Sequence, residues 1–222
     1  EGCHVRYSWV LLVAVAVLSA APAAAVDFMT MPTADQLPPG GFYAGYNYID
    51  VADTPGGATR LNFYQTAFGF ANKIELSYLT LRPDQGPALK SFNLSYQVEQ
   101  ETPETWATTI GVYNVFSNDY LRGSKPSYFV AAAKTVSLAE QPGAPGPVYR
   151  AMFGYGTKSH RRWFYGMQSV LDPQLSAVAA QYAGQSVYGL SYALQAKEGS
   201  PIVHAGTFDG DPFYGISVTR AY

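Results

Sequence analysis

Beyond its first 25 residues the chain carries two histidines, His160 and His204, and no cysteine. His160 lies in the basic run Lys158-Ser159-His160-Arg161-Arg162. Next to Ser159 it could act as general base to a hydroxyl nucleophile, and the surrounding cations could hold an anion. A solvated basic turn accounts for the same run without chemistry. His204 sits in Pro201-Ile202-Val203-His204-Ala205-Gly206, a strand-like stretch in which a Ser/His pair for ester hydrolysis could form. No serine-containing hydrolase motif accompanies it, so a hydrogen-bonded structural histidine is the plainer reading. Two histidines without a thiol are too few for a zinc site, and no cofactor is implied. Asp209-Gly210-Asp211 could ligate calcium but reads as a polar hairpin turn, and Gly154-Tyr155-Gly156 lacks the following helix of a phosphate loop.

The remaining chemistry lies in polar residues that alternate with apolar ones. Along Leu89 to Gln100, Phe92, Leu94, Tyr96 and Val98 share one face while Ser91, Asn93, Ser95 and Gln97 share the other. Ile74, Leu76 and Tyr78 likewise oppose Lys73, Glu75 and Ser77. A closed sheet with its apolar face toward lipid would place Lys73, Glu75, Asn93, Gln97, Lys134 and Arg150 in a lumen, where they would pair with one another or line a narrow path. A charge facing lipid at mid-bilayer costs about 2–4 kcal/mol, which favours the inward placement.

Twelve strand-like segments separated by turn clusters carry these residues. They run over 42–50, 59–70, 73–81, 89–100, 105–116, 128–138, 148–157, 162–171, 175–183, 186–195, 202–208 and 213–222. Tyr128 to Leu138 is Ala-rich, yet its Tyr-Phe-Val start favours a strand over a helix. The breaks at Asn72, Asp172-Pro173 and Gly184 are tight, and those at Asp53 to Ala58, Ser117 to Pro126 and Gln141 to Pro147 are long. Short turns at one end and long loops at the other are expected of a barrel. The predicted fold is all-β: one antiparallel up-and-down transmembrane barrel of about 12 strands, with ten as the alternative, over residues 42–222.

A basic His4 and Arg6, an apolar Val10 to Leu18 and the small-residue zone Ala20 to Ala25 predict a signal helix over 1–25, cleaved after Ala25. Cleavage removes Cys3, the one cysteine, and with it any disulfide framework. Residues 26–41 form an extended Pro-rich lead-in. Lys and Arg number 14 against 16 Asp and Glu, with no basic cluster large enough for a nucleic-acid surface. Charged residues make up 14% of the chain, below the roughly 25% of soluble domains, and aromatics 15%. Few charges and many tyrosines suit a sheet whose outside meets a lipid interface. Tyr43, Tyr48, Trp106, Tyr128, Trp163, Tyr214 and Tyr222 fall near segment ends, as interfacial girdles require.

The final stretch Phe213-Tyr214-Gly215-Ile216-Ser217-Val218-Thr219-Arg220-Ala221-Tyr222 resembles the C-terminal signal strand of bacterial outer-membrane β-barrels. It departs from that pattern in ending on Tyr rather than Phe and in carrying Arg220. The resemblance implies that Tyr214, Ile216, Val218 and Tyr222 are presented to the barrel-assembly machinery, and that the partners are outer-membrane lipid and lipopolysaccharide. It is also similar, through Met31-Pro32-Thr33-Ala34 and Pro38-Pro39-Gly40-Gly41, to small porin-like barrels. The expected protein is a monomeric, non-enzymatic barrel of the cell outer membrane, a narrow channel or a structural surface protein with a small polar lumen. Two other readings stand beside it: an outer-membrane lipid-modifying enzyme using His160 or His204, and a soluble exported β-domain that binds an apolar ligand.

Overall fold

A computed structural model describes residues 32–51, 59–71, 73–116, 125–137, 148–158, 162–182 and 184–220. The signal segment, His160 and Tyr222 lie outside the described residues. No described helix is long and apolar enough to cross a membrane.

Twelve strands form: β1 (Phe42–Asp50), β2 (Arg60–Phe70), β3 (Ile74–Pro83), β4 (Leu89–Glu99), β5 (Ala107–Tyr113), β6 (Ser127–Ser137), β7 (Val148–Gly156), β8 (Arg162–Val170), β9 (Leu175–Tyr182), β10 (Gln185–Ala193), β11 (Ile202–Phe208) and β12 (Asp211–Arg220). Each pairs antiparallel with its chain neighbour, and β1 pairs with β12, so the sheet closes into a 12-stranded barrel. Closure removes the exposed edges that would otherwise recruit other chains. The Ala-rich stretch is strand β6, paired with β5 and β7.

Exposure alternates with the pleat. On β10, Tyr188, Leu190 and Tyr192 are 45–56% exposed on the outside, while Val187, Ser191 and Ala193 are buried inside. On β12, Tyr214 and Ile216 face out, and Phe213 and Ser217 are buried. The outward face of large apolar residues is the belt that lipid would cover. Trp106, Tyr128, Trp163 and Tyr214 belong to it. Tyr43 does not: it is 4% exposed, because its parity is that of Gly45, Asn47 and Ile49, and its ring folds inward over Gly45.

The interior is fuller than the small residues of the last strands suggest. Ile49, Phe164 and Phe213 are fully buried, and Met152, Val178, Val187 and Phe129 join them in one apolar cluster inside the barrel. Rings fit because glycines sit opposite them across the ladder. Gly111 pairs with Phe129, Gly154 with Phe164 and Gly206 with Phe213. A Cβ on Gly111 would lie 2.4 Å from the Phe129 ring, and one on Gly154 2.2 Å from Phe164. Each ring therefore lies flat on a strip of bare backbone.

Turn lengths are not segregated between the two ends. The end that holds the β1 start and the β12 finish has the tight β2–β3 and β8–β9 turns, but also the longer 100–106 and 138–147 connections. The opposite end has the tight β9–β10 and β11–β12 turns together with the long 51–59 and 114–126 connections. The expectation of short turns at one end fails because loop length is set locally at each hairpin, not by the end of the barrel.

Candidate functional site

Residues 32–41 of the lead-in fold into the lumen as a strap bonded to the inner faces of β2 to β5. Gly40 has φ of 79°, and its N–H donates to Gly69 O (2.8 Å) while Gly69 N–H donates to Gly41 O (2.9 Å). This pins the strap to the end of β2. A Cβ on Gly69 would lie 2.1 Å from Pro38 O, so the close approach needs glycine there. Leu37 N–H then donates to Glu75 Oε2 on β3 (3.0 Å). The Gln36 amide sits among Ser95 Oγ, Gln97 N–H and Lys73 O. The orientation with its nitrogen on Lys73 O (2.8 Å) satisfies all three. Ala34 O accepts from Thr109 Oγ1 on β5 (3.0 Å), and Ala34 is fully buried.

The far end of the strap is held by charge. Arg150 on β7 donates through Nε to Asp35 Oδ2 (2.7 Å) and through Nη2 to Asp35 Oδ1, a bidentate pair. Its Nη1 donates to Glu101 and to Thr135 Oγ1 (2.6 Å). Glu101 Oε1 accepts the Thr135 N–H (2.6 Å). Glu101 lies in the β4–β5 connection beyond the strand. Partial burial works against its charge, but the bonds from Arg150 and Thr135 and the Arg150 charge outweigh it, holding its carboxyl below the usual range. The bonds of the strap thus run from β2 through β3, β4 and β5 to Arg150 of β7.

Between the strap and the wall of β12 and β1 to β5 lies a cavity of about 50 Å³. Tyr43, Gln65, Glu75, Asn93, Tyr113 and Thr219 are among its walls, and Asp35 and Gln36 of the strap close it. It has room for about three or four waters, so the strap narrows the lumen severely.

The six residues assigned to the lumen are placed differently. Glu75, Asn93, Gln97 and Arg150 lie on the inward face, three of them bonded to the strap: Gln97 Nε2 reaches Ala34 O at 3.4 Å. Asn93 turns to structure, bonding Ser77 Oγ and accepting the Asn114 N–H. Lys73 is in the β2–β3 turn with φ of 79°, its ammonium on Val98 O. Lys134 is corrected to the outward parity, since Ala131, Ala133 and Thr135 are the inward residues of β6. Its Nζ folds over the end of the barrel onto the carbonyls of Thr102, Pro103 and Thr105. Sequence reasoning missed Asp35 and Glu101, whose partner is distant in the chain.

His204 faces inward on β11 between two hydroxyls, Nδ1 to Ser191 Oγ at 2.9 Å and Nε2 to Ser217 Oγ at 2.7 Å. Both serines are nearly fully buried, and none of the three lines the cavity. The two serine hydroxyls thus engage both ring nitrogens. Asp209 and Gly210 form the β11–β12 turn with φ of 54° and 94°. No group of three or more potential metal ligands occurs among the described residues. Tyr214, Ile216 and Val218 share the outer face of β12.

No family model matches the chain, and no curated protein does. Solved structures do. The KdgM porin aligns with a TM-score of 0.50 and 12% identity, over 82% of this chain and 99% of that one. The KdgM porin in complex with disordered oligogalacturonate aligns equally well at 11% identity. The COG4313 outer membrane channel from Pseudomonas putida F1 gives a TM-score of 0.39 at 13% identity, over 88% of this chain and all of that one. The chain thus shares the closed-barrel fold of an outer-membrane porin.

Proposed function

We propose that the protein is a narrow porin-like channel of the outer membrane, non-enzymatic and monomeric, whose lumen is constricted by its own N-terminal strap. The observation that carries this reading is the closed barrel with an apolar belt outside and a polar, strap-walled cavity inside. A belt of exposed Tyr, Leu, Phe, Ile and Val on every strand but β9 would be a liability in water and is what a bilayer requires. The apolar cluster draws on β1, β5 to β10 and β12, with Leu61 and Phe63 of β2 packed against it, so little of the lumen is left polar and solutes must be small. The outward Tyr214, Ile216 and Val218, with Tyr222, serve as the strand read by the assembly machinery, and lipid and lipopolysaccharide are the surroundings of the belt.

Fractionation followed by gel mobility with and without boiling tests the setting, and swelling of reconstituted liposomes in polyols of increasing size tests the path. Membrane residence, a boiling-dependent shift and swelling only with the smallest polyols support the proposal. Recovery in the soluble fraction without a shift would overturn it. A shifted, membrane-resident barrel that admits no solute would support a purely structural role, for which the filled apolar interior speaks.

A further inference from the structure

Two arginines on the outer face of the barrel have guanidinium groups without a hydrogen-bond or ion-pair partner among the described residues. Arg60 opens β2 and Arg82 stands at the end of β3, both exposed on the outward parity, at the rim away from the β1 start and the β12 finish. Arg82 is opposite Asn62 in the ladder, and Arg60 lies two residues beyond Asn62. The two are thus diagonal neighbours on one face, roughly 7–8 Å apart. Two carboxylates lie near. Asp84 is taken up by the Thr59 N–H (3.1 Å), the Thr59 hydroxyl (3.0 Å) and the Arg60 N–H (3.4 Å). Asp50 stands across from Arg60 in the β1–β2 ladder, with no ion pair between them. Lys90 of β4, across from Thr80, adds a positive charge to the same rim.

Below the arginines on the same outward face lies an aromatic wall. Tyr64 and Tyr78 are 45% and 40% exposed, and the Tyr46 ring packs on Tyr64 at 5.1 Å with its hydroxyl on Asn62 Oδ1 (2.7 Å). Tyrosines with the ring on the apolar side and the hydroxyl among polar groups mark a membrane interface. Arg60 and Phe70 close the two ends of the 11-residue β2. At a rise of about 3.3 Å per residue and a tilt of about 40°, that strand climbs about 25 Å, the height of the apolar band of a membrane barrel. With Phe70 at one boundary, Arg60 and Arg82 come out at the headgroup level of the other.

We infer that Arg60 and Arg82 form a site for the phosphate of an anionic membrane lipid, whose acyl chains lie down the face of Tyr64, Phe68 and Tyr78. The inference rests on the membrane setting proposed above and not on conduction. A guanidinium fork matches two oxygens of a phosphate in charge-assisted bonds, and two forks on one face can share the group. A free phosphate would meet the forks but has nothing to lay on the wall. A lipid satisfies forks and wall together. Each arginine near an anionic lipid surface is expected to strengthen binding roughly fivefold.

The test is retention of radiolabelled phosphatidylglycerol by the full chain immobilised in detergent, for wild type, Arg82→Gln and the double variant Arg60→Gln/Arg82→Gln. Diacylglycerol with the same chains and inorganic phosphate serve as competitors, and the boiling-dependent shift verifies that each protein is folded. Saturable binding to the wild type is expected, weakened about fivefold by Arg82→Gln and about 25-fold in the double variant, with neither competitor matching unlabelled phosphatidylglycerol. Equal retention by the wild type and the folded double variant overturns the site. Displacement by diacylglycerol as effective as by the phospholipid overturns recognition of the headgroup. Displacement by inorganic phosphate as effective as by the phospholipid overturns the lipid as occupant. A chain recovered as a soluble protein without a mobility shift overturns the membrane setting, and this inference with it.

Discussion

Replacing Arg150 by Met removes the one group that holds the far end of the strap by charge. The substitution breaks the bidentate pair with Asp35 and the bond to Glu101, and leaves two carboxylates facing each other. The Arg150 side chain is 15% exposed, and those of Asp35 and Glu101 are 25% and 24% exposed. Breaking a fully buried pair costs about 3–5 kcal/mol; with a quarter of each carboxylate open to water, about 2–3 kcal/mol is expected here. That corresponds to a roughly 30- to 150-fold rise in the population with the strap released. Ala34 is fully buried next to Asp35, so an Ala34→Cys probe reacts with a thiol reagent only when the strap leaves its seat. Beyond residue 25 the chain holds no other thiol. Labelling of the probe is therefore expected to accelerate by that factor in the Arg150→Met background. A rate within twofold of the parent, in a barrel that still shows its boiling-dependent shift, would refute the idea that charge holds the strap.

Other outcomes follow from the same geometry. Gly111→Ala drives a methyl into the Phe129 ring, and the overpacking is expected to cost about 1–3 kcal/mol, read as a lower temperature for loss of the compact band on gels. His204→Ala leaves the Ser191 and Ser217 hydroxyls buried without their partner, at about 1–3 kcal/mol. Neither wild type nor this variant should release fatty acid from phospholipid; release by the wild type alone would revive the enzyme reading. Glu101 has its carboxyl held below the ordinary 4.5, so its contribution to the strap is complete above that pH and is lost as pH falls through its lower folded value. Labelling of the Ala34→Cys probe, taken relative to a free model thiol at the same pH, should accordingly rise below about pH 4.5 and stay flat between 6 and 8; a flat relative rate down to pH 3 would contradict this.

The strands were legible wherever polar and apolar residues alternate strictly, as along β4, β10 and β12, because the pleat converts parity directly into face. Parity fails where both faces carry the same kind of residue. Ala131, Ala132 and Ala133 give no clue to the direction of Lys134, and the adjacent aromatics Phe42 and Tyr43 hide which of them turns inward. The flat packing of Phe129, Phe164 and Phe213 over glycines depends on register between strands, which no single segment reveals. The path of the lead-in was beyond local reading altogether. Its prolines exclude a helix, but its anchor Asp35 finds Arg150 across 115 residues of chain. Only closure of the barrel brings them together.

The most direct test of a strap-constricted channel is single-channel recording of the wild type beside Arg150→Met, both verified as folded by their mobility shift. The account predicts small discrete current steps from the wild type and larger or more frequent ones when the strap is released. Silent bilayers from both folded proteins would contradict it, and the barrel would then stand as a structural element of the membrane rather than a path through it.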